Sequence, residues 1–365
     1  MKRGDETSPL KLPQSVGEQR SLNISLNYVL MQVENKDMKS NTDLSHDIYA
    51  LLAYISENWE RIKKEDVTTG DIIRKIDHGF GPYEVLNYVR AEKLLNNEKL
   101  KKFRKKVFIA RNQGVKIISV FEEEYPPLLR EYGCGAEVYP PLVLYRLGKP
   151  IPNKPIVAVV GTREPTDIGR KLARKIGAEL ARRGYVVAAG FARGIDEEAV
   201  NGAVESGGHV IGVLPYLYEN DDLTELNKNG VLRRLVEGGY NDFTAISEHL
   251  VKKAELVKRW LAARNRIMSG MSIAVIIPET KYKKGRGWGT IYQVKFGIKA
   301  GREVLIMKPQ VNDNSVKMGY KSFVKAGAKQ VATIDEAIRM VEILSKKLPE
   351  QRSEKTLDRW LQSDE

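Results

Sequence analysis

The chain has 365 residues, 42% apolar and 29% charged, with a formal net charge of +13 at pH 7. That suffices for one large or two ordinary soluble domains, and the basic surplus fits nucleic acid, an anionic membrane face or merely a lysine-rich solubilising surface. A lone cysteine, Cys134, excludes a disulfide framework, and no apolar run nears the about 20 residues that span a bilayer.

In chain order, residues 1–42 read as a flexible polar arm, and MKRGDETSPLKLPQ lacks the apolar core of a signal peptide. A cytoplasmic protein without membrane association is therefore expected. Residues 43–113 read as a small helical domain. Ile48, Leu51, Leu52 and Ile55 share one helical face, Ile72, Ile73 and Ile76 lie in a second helix, Tyr83 to Leu95 form a third, and Glu98 to Arg111 a lysine-rich fourth. Gly79 to Gly81, at a helix start, is either a plain interhelix turn or a grip on a DNA phosphate. The charge run Lys99 to Lys106 is either a solvated face or a nucleic-acid contact. After an apolar strand, Val115 to Phe121, the paired prolines of Glu122 to Gly148 predict an irregular strap.

From Pro155 onward, strands alternate with helices. The apolar run Ile156 to Val160 meets a turn, a basic helix follows, and Tyr185 to Ala189 meets a second turn, Gly190 to Asp196. Thr166 and Asp167 are N-cap residues for the first helix, whose expected buried stripe is Ile168, Leu172, Ile176 and Leu180. Further strands fall at Val210 to Leu214, Ala245 to Ser247, Ile273 to Ile277 and Glu303 to Met307, with helices near Val231 to Glu237, Glu255 to Gly270 and Thr290 to Ala300. A strand-helix pair from Gln330 to Leu348 closes the domain, and residues 349–365 form a polar tail. The expected fold of residues 114–348 is α/β, a Rossmann-like doubly wound, mainly parallel sheet with helices on both faces.

The chemistry-bearing residues cluster in its turns. Gly161, Thr162 and Arg163 in the first turn, and Phe191, Arg193 and Gly194 in the second, lie where open α/β sheets bind ligands, each before a helix N-terminus. This is a cradle suited to phosphate, but neither the dinucleotide fingerprint G-x-G-x-x-G nor G-x-x-x-x-G-K-[ST] occurs. Asp196 reads as a cap. Lys258, Arg259, Arg264, Asn265 and Arg266 supply a third basic segment. If the three converge they make a phosphate-tracking groove, for which Phe191 and Trp260 are stacking candidates or, alternatively, core residues. Gly287, Gly289 and Thr290 form a further glycine-rich loop, either a phosphate loop or a tight turn. His46, His78, His209 and His249 have no metal-ligand spacing, so neither metal nor cofactor is expected.

The motifs VVGTREP (159–165), AGFARGID (189–196), ISE (246–248) and RNRIMSGMS (264–272) together resemble the DprA/Smf family of DNA-processing proteins, over roughly Gly114 to Pro309. The YPPLL stretch at Tyr125 and PPLVLYRLG ending at Gly148 resemble the family's approach to its fold. The resemblance implies an extended Rossmann fold that binds single-stranded DNA, as a homodimer, and helps load a RecA-type recombinase. It makes Arg163, Arg193, Arg264 and Arg266 the phosphate contacts. The chain departs from the family at Ala199-Val200, where Ala-His is common, and at GRGWGTIYQ, which replaces SGS-L-x-TA. No winged-helix module is discerned after Leu348. The replaced loop is similar to PGGxGTxxE of LOG-like phosphoribohydrolases, the rival reading. Gln293 stands at the glutamate step, and an amide supplies neither charge nor base. A non-enzymatic binder of single-stranded DNA is the expectation.

Overall fold

The computed structural model describes residues 50, 52–57, 98–132, 140–282 and 289–348. The arm 1–42, most of residues 43–97, Cys134, residues 283–288 (with Gly287) and the tail 349–365 lie outside the described residues, as do the readings placed on them. Residues 52–57 are helical with Leu52 and Ile55 buried, and α1 (Glu98–Asn112) carries the lysine run. Lys101, Lys102 and Lys105 are exposed there, while Lys106 reaches Asp221 at 2.5 Å.

Among the described residues nine strands form one sheet: β1 (Lys116–Ser119), β2 (Val143–Gly148), β3 (Ile156–Val159), β4 (Val186–Ala189), β5 (Val210–Val213), β6 (Phe243–Ser247), β7 (Ala274–Ile277), β8 (Glu303–Met307) and β9 (Lys329–Val331). Their order is β1-β2-β6-β5-β4-β3-β7-β8-β9. The seven strands from β6 to β9 in that order are parallel; β1 and β2 add an antiparallel edge. Strands β3 to β7 are buried along their full lengths, as continuous Val, Ile and Ala runs covered on both faces must be.

The chain runs outward from β3 through β4, β5 and β6 on one side, then returns to place β7 beside β3, with Val157 opposite Ala274. That reversal makes a topological switch point between β3 and β7, where the two strands' carboxyl ends leave a crevice. Helices α3 (Asp167–Arg182) and α4 (Ile195–Glu205) follow β3 and β4. They touch backbone to backbone: a Cβ on Gly177 would lie 2.0 Å from the Ala199 carbonyl oxygen, and one on Gly202 1.9 Å from that of Arg174. The close crossing draws both helix N-termini, and the turns that feed them, into one place.

Three expectations change. The strap contains a short helix, α2 (Pro127–Tyr132), and β2, which pairs with β1 and β6. Pro127 opens that helix at a position where its missing N–H costs nothing. Ile168 is 42% exposed, whereas Leu172, Ile176 and Leu180 are buried; four-residue steps drift around a helix of 3.6 residues per turn. A helix absent from the sequence reading, α8 (Asn314–Lys325), lies between β8 and β9, capped by the Asp313 carboxylate on the Ser315 and Val316 amides. The other helices, α5 (Gly230–Glu237), α6 (Val257–Met271), α7 (Gly289–Lys299) and α9 (Ile334–Ser345), fall close to their expected bounds.

Candidate nucleic-acid interface

The two turns meet, but their anion cradles are already filled by the protein. The Asp196 carboxylate accepts the Gly161 amide at 3.3 Å from the first turn and the Gly190 amide at 2.9 Å from the second, and it also takes the Ala192 amide. Burial pushes the Asp196 carboxyl above its ordinary value, opposed by Arg264 and these three amides. On the other side of the first turn, the Glu279 carboxylate accepts the Thr166 amide at 2.8 Å and the Thr166 hydroxyl at 2.5 Å, at the start of α3. The Thr162 amide goes to the Glu279 carbonyl and the Glu164 amide to Thr162 Oγ1. The cradle predicted for a phosphate thus serves two carboxylates, and Asp196 ties two turns instead of capping its own helix. Gly194, at φ +92°, lets the turns close: a Cβ there would sit 2.6 Å from the Thr162 carbonyl oxygen and 2.8 Å from the Arg163 carbonyl carbon.

Cations surround the mouth. Arg163 and Arg193 are exposed, and with Arg170 and Lys281 they line an open cleft of about 670 Å³. Glu164, Pro165, Gly194 and Glu197 complete the lining, so four cations face two carboxylates. Arg193 meets Glu164 at 3.4 Å across the two turns, Arg170 lies 3.7 Å from Glu198, and Glu197 is drawn to Arg234 at 2.7 Å. Arg170 and Lys281 were missed in the sequence. Arg170 sits one turn beyond the Thr166 cap and therefore over the helix start; Lys281 follows the β7 exit by only a few residues.

The third basic segment does not join this rim. Arg264 is 8% exposed and donates through Nη1 to the carbonyls of Gly190 and Val213, both at 2.7 Å. Burial lowers its pKa to about 10, against the pull of Asp196. Arg266 gives Nη2 to both Glu248 oxygens, at 2.6 and 2.7 Å, and Nη1 to the Ala263 carbonyl. Its carboxylate partner stays ionised: burial alone would raise Glu248, but Arg266 and His249 bring it below the ordinary value. Asn265 is buried, and Lys258 and Arg259 of this group are exposed. Phe191 is 1% exposed, its ring against Gly212, and Trp260 stacks on His249 with centroids 3.8 Å apart. Of the two readings of Phe191 and Trp260 the core one fits this burial. Arg264 and Arg266, expected to contact a strand, are instead committed within the protein, because a buried guanidinium is held by carbonyls and carboxylates that it cannot leave cheaply.

In the glycine-rich loop, Gly287 lies outside the described residues, Gly289 opens α7, and Thr290 donates its hydroxyl to the Gly161 carbonyl at 3.1 Å. Thr290, at the start of α7, thus touches the first turn, with its hydroxyl committed to the protein. Gln293 is buried and donates to Ser269 Oγ at 2.8 Å, so it faces α6 and no open cleft. Among the described residues no three His, Cys, Asp or Glu side chains gather as metal ligands, and no helix is long and apolar enough to cross a membrane.

Fold and site define an extended Rossmann-like protein with a cationic cleft at the switch point and no standard dinucleotide fingerprint. The chain belongs to the DNA recombination-mediator protein A family, whose model matches residues 116–342. It is 28% identical to the DNA processing protein DprA of Bacillus subtilis over 254 residues, 67% of this chain and 75% of that one. It is 30% identical to Protein Smf of a Synechocystis strain over 223 residues, 60% of this chain and 52% of the other. The X-ray structure of DprA from Streptococcus pneumoniae superposes with a TM-score of 0.54 at 25% identity, covering 81% of this chain and 92% of that one.

Proposed function

We propose that this DNA-processing family member binds single-stranded DNA without catalysis, laying the strand's phosphates against Arg163, Arg193, Arg170 and Lys281. The observation that carries the reading is the cleft at the switch point, where four cations outnumber two carboxylates. Guanidinium and ammonium groups on exposed stems suit a phosphodiester chain of any sequence, since they recognise charge and oxygen geometry only. The buried Gln293 speaks against the LOG-like hydrolase, whose chemistry needs a carboxylate in the cleft. Homodimer formation and loading of a RecA-type recombinase belong to the same reading and rest on the family resemblance; a cytoplasmic setting rests on the lone cysteine, which suits a reducing compartment.

Fluorescence anisotropy with a labelled oligonucleotide tests it. Arg163→Ala with Arg193→Ala is expected to weaken binding at least about tenfold and to reduce the salt slope by about 1.4, two single-strand phosphate contacts' worth. Unchanged affinity in a double variant that retains its far-ultraviolet spectrum would show that the strand runs elsewhere.

A further inference from the structure

The donors at the cleft divide sharply into spent and available. The amides of Gly161, Gly190 and Ala192 go to the Asp196 carboxylate, that of Thr162 to the Glu279 carbonyl, that of Glu164 to Thr162 Oγ1, and the Thr166 amide and hydroxyl to the Glu279 carboxylate. The Gly169 amide, at the head of α3, goes to Thr166 Oγ1 at 3.0 Å. What faces the open volume is Arg163, Arg170, Arg193 and Lys281, together with Glu164 and Glu197. Two carboxylates therefore stand in the lining, and two more, Asp196 and Glu279, stand directly behind it.

We infer that the cleft takes the interior of a strand, a chain of singly charged phosphodiesters, and does not capture a terminal phosphomonoester. This rests on the single-stranded DNA reading above and sharpens its substrate class. A phosphomonoester carries a charge of about −1.5 to −2 at neutral pH because its second proton leaves near pH 6. A site that selects such an end must supply converging amides at a helix N-terminus, as phosphate-binding loops do. Here the Glu279 carboxylate closes the start of α3 and the Asp196 carboxylate takes amides from both turns, while the first amide of α4, that of Ile195, goes to the Thr162 carbonyl. The extra charge of an end would add repulsion against four carboxylates. A phosphodiester needs no such socket. Its single charge can be met by one long cation, and its neighbours by the next, which is what separated side chains around an open rim provide. Exposed Arg193, paired with Glu164, exchanges that partner for a phosphate with little desolvation cost.

The test compares one oligonucleotide in three forms: linear with a 5′-hydroxyl, linear with a 5′-phosphate, and ligated into a circle. The full-length protein is titrated with each by anisotropy at low salt. All three are expected to bind within about threefold of one another, and nucleoside 5′-monophosphate should displace the strand no better than its ionic strength dictates. A preference above about threefold for the 5′-phosphate, or loss of binding to the circle, would overturn the inference while leaving strand binding intact. Failure of all three forms to bind would instead overturn the strand reading, and the inference with it. A second variant reads the guard itself. Glu279→Ala frees the Thr166 amide and hydroxyl, so its melting temperature should rise on adding inorganic phosphate, whereas the unaltered protein's should not. A phosphate-dependent rise in the unaltered protein would mean that an open monoester site exists after all. If Glu279→Ala does not fold, the three-form comparison decides alone.

Discussion

Arg163 and Arg193 share a residue type and a family motif set with Arg264 and Arg266, yet the two pairs do opposite work. The first pair stands exposed on the rim, and Arg193 is held by little more than the exposed Glu164 carboxylate. The second pair is rooted in α6: Arg264 ties the ends of β4 and β5 through Gly190 and Val213, and Arg266 locks the end of β6 through Glu248. An exposed arginine costs little to hold and can change partners. A buried one has been desolvated and is stable only while every partner stays. Within one motif set, then, the rim is free to meet a ligand, and the root keeps the rim's turns in place.

The widest break in this comparison comes from removing a root. Arg264→Ala strands the Asp196 carboxylate without its cation and leaves two carbonyls unpaired, so urea unfolding should show a loss of about 3–5 kcal/mol. Arg163→Ala in the same assay should cost under about 0.5 kcal/mol, as exposed substitutions do. Equal losses would dissolve the distinction between rim and root.

Acid should find the root as well. Burial against Trp260 lowers the His249 pKa from 6.5 to about 4, beside the Glu248–Arg266 pair. Because the depressed pKa belongs to the folded state, the unfolded chain takes up the proton first. The stabilisation from keeping His249 neutral is therefore complete above pH 6.5 and lost as pH falls towards 4. His249→Phe preserves the stack on Trp260 and removes the titration. Between neutral pH and the lower end of that window, the variant should lose less stability than the parent by on the order of 2 kcal/mol. Parallel pH profiles would place the acid sensitivity elsewhere.

The smallest effect belongs to the rim. Glu164→Gln frees Arg193 from an exposed carboxylate and removes one negative charge from the cleft. Stability should stay within about 0.5 kcal/mol, while affinity for single-stranded DNA rises about two- to fivefold at low salt, the worth of an exposed pair. Weakened binding would mean that Glu164 helps to position Arg193 and does not compete for it.

Local pattern carried much of the architecture. The alternation of apolar runs with amphipathic segments located β3, β4, β5, β7 and β8 nearly to the residue, and the start of α3, because a strand buried on both faces must be continuously apolar and a packed helix must repeat near 3.6. Helix α8 escaped. Val316, Tyr320 and Phe323 are spaced for a helix and Asp313 caps it, but Gly319 in the middle reads as a breaker. The missed capping carboxylate was its one clear signal. The paired prolines at 126–127 and 140–141 likewise read as an irregular strap, when one of them opens a helix.

By itself the sequence determined the class of fold, the family and the two arginine-bearing turns, since each depends on neighbours a few residues away. Which arginines remain free was decided only in three dimensions. Asp196 lies 35 residues beyond the Gly161 amide that it accepts, Glu279 lies 113 beyond Thr166, and Arg264 lies 74 beyond the Gly190 carbonyl. Burial and hydrogen-bond satisfaction are properties of what packs around a group, and a linear pattern does not say which distant carboxylate will reach an amide first. The turns look like phosphate cradles because their amides do converge on an anion; the tertiary structure made that anion the protein's own.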